Sequence, residues 1–143
     1  MAITSAICTS FKVEILKGVH NFTASSGNTF NLALYTSSAS LGAATTAYTT
    51  SNEVSGSGYT AKGNALTSVT PVADSTTAVC DFADTSFTSA SFTARGCMIF
   101  NDSATGDPAV CVIDFGGDKT VSSGTFTIQF PAAAASTAII RIA

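Results

Sequence analysis

The 143-residue sequence predicts an all-β domain, a two-layered sandwich or barrel of about eight short strands with one short helix near the N-terminus. Three observations lead to that class. Most apolar residues fall in brief runs, alternating with polar ones or nearly continuous, and turn signals separate the runs. Only residues 9–18 carry helical spacing. The composition is 45% hydrophobic with ten Phe, and mean hydropathy is +0.37, so a chain of this length can bury one genuine core and is not disordered.

Residues 9–18 read as the helix. Ser10 can cap its start, Lys17 falls in the last turn, and Gly18 fits the position just past the end. Phe11, Ile15 and Leu16 share a face of that helix, although the alternation Phe11, Val13, Ile15 also fits a strand. A turn follows at residues 25–28, and residues 29–36 form the first well-marked strand. Phe30, Leu32 and Leu34 lie on one face with Asn31, Ala33 and Tyr35 opposite, as in a half-buried sheet. Residues 37–58 make a long connection, of a length usually functional or organised by a partner. Tyr48 and Tyr59 are its expected anchors, because a Tyr can bury its ring and still use its hydroxyl.

Further strands are expected at residues 59–62, 66–72, 77–82 and 94–101, the last led in by residues 90–93. Residues 101–108 (NDSATGDP) form a turn. Residues 109–115 (AVCVIDF) are nearly continuous in apolar residues, so they predict a central strand covered on both faces. Gly116-Gly117-Asp118 and Ser122-Ser123-Gly124 are expected to turn the chain twice. Residues 125–130 then alternate cleanly, Pro131 ends that strand, and residues 137–142 form the last one. The whole chain reads as one domain, with no internal repeat and no linker.

Only 10% of residues are charged and the net charge is -3, with no basic cluster, so a phosphate-neutralising nucleic-acid surface is not expected. No apolar run reaches membrane-spanning length. The N-terminus lacks a basic region ahead of its apolar residues, so synthesis in a cytoplasm without secretion is the expectation. Cys8, Cys80, Cys97 and Cys111 have no CxxC spacing and read as four free thiols, with Cys80, Cys97 and Cys111 as small buried hydrophobes among β-formers.

Nothing in the sequence assembles a catalytic signature, and no cofactor or metal is expected. His20 follows the helix in a chain reversal, where a structural role outweighs a catalytic one. Asp81 with Asp84, and Asp102 with Asp107, are the pairs that a glycosidic acid–base reaction could use, yet three Tyr and no Trp leave few platforms for sugars. Asn101, Asp102, Ser103 and Asp107 offer oxygen ligands without the spacing of a calcium loop. Asp114-Phe115-Gly116 matches a kinase magnesium motif, but the accompanying signatures are missing.

Several strings are similar to those of small tailed-phage virion proteins: FKVEILKGVHNF (residues 11–22), LALYTSSAS, NEVSGSGYTAKG, VIDFGGDK and the terminal AIIRIA. Together they span most of the chain, and some of the proteins it resembles are capsid cement, or head decoration, proteins. That resemblance implies a jelly-roll-like sandwich with Greek-key wiring. It also implies a non-enzymatic protein on the capsid exterior, self-associated as a homodimer or homotrimer, that crosslinks major capsid protein subunits. The expected partner-contacting residues are Phe11, Ile15, Phe22, Tyr48, Glu53 and Tyr59, with residues 1–28 involved in docking and core packing the competing role for Phe11 and Phe22. On this reading, removal of the residues before Gly18 abolishes shell binding and leaves a folded β-domain. The alternative is a tail- or fibre-associated module that recognises a host-surface carbohydrate through its hydroxyl-rich loops.

Overall fold

The computed structural model describes residues 2–143 and contains eight strands and one helix in two antiparallel sheets, an all-β sandwich as expected. In chain order these are β1 (Ala6–Ile7), α1 (Thr9–Leu16), β2 (Phe30–Tyr35), β3 (Asn64–Ala65), β4 (Ser68–Asp74), β5 (Thr77–Phe82), β6 (Thr85–Asn101), β7 (Ala109–Ile128) and β8 (Ile140–Ile142). One sheet has the order β1-β7-β6-β2-β3 and the other β4-β5-β8.

The sheet is built around β2, which pairs with residues 96–101 of β6 in unbroken antiparallel register, from Phe30 opposite Asn101 to Tyr35 opposite Gly96. All six residues of β2 are buried, so the expected half-buried strand is in fact covered on both faces. The reason lies in the long connection. Phe30 stacks on Phe22 with ring centroids 4.2 Å apart, and Phe82 tilts against both rings, which closes one face. On the other, Tyr35 donates its hydroxyl to the Thr49 carbonyl at 2.7 Å, while Tyr48 packs on Phe100 at 4.8 Å. The residues after β2 thus fold back as a lid over their own strand.

Several local expectations are corrected. The helix begins after Cys8, whose side chain makes no capping bond, and Ser10 instead directs its hydroxyl to the Thr45 carbonyl at 3.5 Å. Gly18 does take the left-handed conformation just past the helix, at φ +73°. Of the proposed helical face, Phe11 is buried, Ile15 is half-buried and Leu16 is 89% exposed. Residues 59–62 do not form a strand, and residues 61–62 lie in a turn. The two turn signals in the 116–124 region do not reverse the chain, because β7 runs straight through them for 20 residues. They become bulges instead. Asp114 pairs with Gly96 and Lys119 with Ala94, so residues 115–118 all lie opposite Arg95, and a second register shift lies at Ser122–Ser123. Glycine and serine clusters permit a turn or a bulge equally well, and the uninterrupted partner β6 decides for the bulge.

Candidate partner-binding surface

Tyr48, Glu53 and Tyr59 come together at the centre of the long connection. Glu53 accepts hydroxyl hydrogens from both tyrosines at 2.6 Å, one on each carboxylate oxygen, and a third bond from the Lys62 backbone N–H at 2.8 Å. The Tyr59 oxygen in turn accepts from the Leu34 backbone N–H at 2.9 Å, and Val54 donates to the Leu34 carbonyl at 2.9 Å. The connection therefore satisfies the free edge of β2 where β3 has ended. Burial and the hydrogen bond to Glu53 push the Tyr48 hydroxyl up to about 12, and the same two causes raise Tyr59 further.

Lys62 joins this group from outside. Its ammonium lies 2.8 Å from Asp102 and 2.9 Å from Asp107, and 5.7 Å from the centre of the Tyr48 ring. Both carboxylates raise the lysine pKa and tie the 101–108 turn to the lid. The polar atoms of Tyr48, Glu53 and Tyr59 thus face one another. What these residues can present to a partner is the outer face of half-buried rings.

The N-terminal segment divides differently. Phe11 and Phe22 are 3% and 6% exposed, and with Phe30 they enclose His20 at centroid distances of 4.9 to 6.3 Å. The Asn101 amide donates to His20 Nδ1 at 3.1 Å, so Nε2 carries the proton directed at Glu14, also at 3.1 Å. The two phenylalanines and His20 are therefore core, and of the expected contacts here only Ile15 reaches the surface. The aromatic spacing in FKVEILKGVHNF fits core and contact equally, and docking onto β2 and β5 decides it.

The exposed apolar residues of this segment are ones the sequence reading did not assign to partner contact, and it placed Leu16 on the helix face shared with Phe11 and Ile15. Leu16 is 89% exposed, Val13 50% and Val19 37%, while Ile142 at the C-terminal end is 56% exposed. Leu16 and Ile142 border an apolar groove of about 280 Å³ floored by Ile7, Phe11, Ile15 and Ile140. Leu16 is the last residue of an eight-residue helix whose buried residue is Phe11, and a side chain at a helix end was the available signal.

The remaining candidates are occupied by the fold. Asp81 is buried against the Phe82 backbone N–H at 2.8 Å, which leaves burial to raise its pKa, whereas Asp84 receives the Phe130 N–H at 2.8 Å. Asp114 is held low by the Gly116 amide and by Arg95 at 2.9 Å. All four cysteines are free, as expected, and Cys8 is buried along with the three for which burial was expected; burial raises each thiol. Among the described residues no group of three His, Cys, Asp or Glu is arranged to hold a metal ion, and no helix is long and apolar enough to cross a membrane. No family model, curated protein or solved structure matches the chain.

Proposed function

We propose that this protein is a structural component of a tailed-phage virion that binds the outside of an icosahedral capsid and cements neighbouring major capsid protein subunits. The observation that carries the reading is the apolar groove bordered by the exposed Leu16 and Ile142, with Val13 and Val19 also exposed on the same segment, on a chain with 10% charged residues. Apolar side chains held out by a short helix and a chain end bury area against a partner with little desolvation of charge. Their place beside FKVEILKGVHNF and AIIRIA, two of the virion-like strings, supports the same reading. Many such modest contacts, repeated over a lattice by a homo-oligomer, hold firmly through avidity.

Truncation before Gly18 does not test this, because it removes Ile3, Cys8 and Phe11 from the core. Point substitution does. Purified protein is mixed with expanded, undecorated phage heads and sedimented over a range of salt. Saturable binding at a fixed ratio to capsid protein is expected, with little salt dependence. Leu16→Asp is expected to lower the bound fraction at least tenfold while the circular dichroism spectrum is unchanged. No binding to heads, with attachment to host cells or tails, would reject the cement role in favour of surface adhesion.

A further inference from the structure

We infer that β7 is a self-association edge: residues 124–130 of one copy pair antiparallel with the same residues of a second copy, about a two-fold axis through Thr127. On the side away from β6, β7 is paired only at Cys111 and Val112, by the two residues of β1. Beyond that point no described strand or isolated bridge pairs with this edge as far as Ile128. About half of the backbone N–H and C=O groups of such a strand point to its open side, which makes a template for another strand.

The second copy is the occupant that the side-chain pattern fits. Phe126, Ile128 and Phe130 are half-buried on one face, with Thr125, Thr127 and Gln129 exposed on the other. An antiparallel pair centred on Thr127 sets Phe126 against Ile128, Thr125 against Gln129 and Gly124 against Phe130. Every residue then meets one of its own face. A centre between two residues sets apolar against polar throughout, because the side-chain period is two. Residues 120–130 carry no charge and no Pro, so self-pairing opposes no like charges and loses no ladder bond. The bulge at Ser122–Ser123 limits the paired length on one side and Pro131 on the other.

Packing supplies a second reason. Phe126, Ile128 and Phe130 line an open groove of about 560 Å³ with Ile113, Phe115 and Ile139, and its wall is overwhelmingly apolar. A strand added to β7 brings its own Phe126, Ile128 and Phe130 alongside that opening. Lys119 also lines this groove, five residues before the paired segment begins at Gly124. This groove shares no lining residue with the one bordered by Leu16 and Ile142, so one copy can pair through β7 and still offer its helix end to a shell. The inference adds a self-association surface to the proposed role without depending on it.

The test needs no capsids, so its failure is distinguishable from failure of the cement reading. Light scattering on the eluting wild-type protein is expected to give twice the 14.4 kDa chain mass at high concentration, falling on dilution. Thr127→Cys is expected to form a disulfide-linked dimer under mild oxidation, since directly opposed positions bring Cβ atoms to about 4.5–5.5 Å. Thr120→Cys, also exposed and seven residues along the ribbon, serves as the control and is expected to stay free of the covalent crosslink. At least a tenfold excess of crosslinking at position 127 over position 120 supports the two-fold at Thr127. Equal crosslinking at both, or a wild-type monomer at every concentration, overturns it. Hydrogen-exchange protection of residues 124–128 that appears only when heads are added would also overturn it, by assigning the added strand to the capsid protein.

Discussion

The two ends of the β6–β7 hairpin belong to the same pair of strands and have opposite surroundings. At one end, residues 96–101 and 109–112 are buried on both faces. The lid over β2 covers one side and the Phe11, Phe22 and Phe82 cluster covers the other. At the other end, residues 85–94 and 119–128 bury a single face. Phe87, Ala90 and Phe92 point inward against Tyr59 and Phe126, and the outer face is a hydroxyl ladder with Ser86–Thr127 at 2.9 Å and Thr93–Thr120 at 2.8 Å. Strand pairing alone therefore does not make a region rigid here. What differs is the number of covered faces, and a two-stranded ribbon with one covered face is the natural site of local opening.

Phe22→Ala is the largest expected perturbation of this contrast. It removes the ring stacked on Phe30 and leaves a cavity beneath the braced end, at a cost of about 4 kcal/mol. Denaturant unfolding is expected to show the loss across the whole domain, and an effect below about 1 kcal/mol would mean that the cluster is not the common support of both sheets.

Alkali is expected to act on the same end with smaller effect. Tyr35, Tyr48, Tyr59 and the four cysteines all have raised pKa values, and residues 85–94 and 119–128 contain no Tyr or Cys. Ordinary thiols and phenols ionise at 9.0 and 10.0, whereas here Cys8 is pushed up to about 11 and Cys80, Cys111 and Tyr48 to about 12. The folded chain keeps protons that the unfolded chain gives up. That stabilisation is fully present below pH 9 and is lost as pH rises through 11 to 12. A falling thermal midpoint over that window checks it, and a midpoint rising between pH 9 and 11 would contradict the sign.

Phe126→Ala is the smallest change and the sharpest on the ribbon. The ring is only half-buried, so about 1 kcal/mol is expected. Hydrogen exchange should quicken at residues 119–128 and stay unchanged in β2. Equal acceleration in both would erase the distinction between the two ends.

Alternation and turn chemistry, both local properties, were legible in the chain: the β class, β5 at residues 77–82, β2 to within a residue at each end, the Gly18 helix stop and the burial of Cys80, Cys97 and Cys111 among β-formers. The site was legible only in part. Tyr48 and Tyr59 read correctly as anchors of the long connection, but nothing local announced Glu53 as the carboxylate that holds both.

Tertiary structure alone decided three matters. It turned FKVEILKGVHNF inward at Phe11 and Phe22 and left Leu16 outside, because which helical side chains are buried depends on where the helix docks. It made Gly116-Gly117-Asp118 a bulge, because a flexible sequence yields to the longer ladder beside it. It also covered the second face of β2, because the residues that do so come from a connection with no period of its own. Period and composition are written in the chain locally, whereas burial is a relation between segments distant along it.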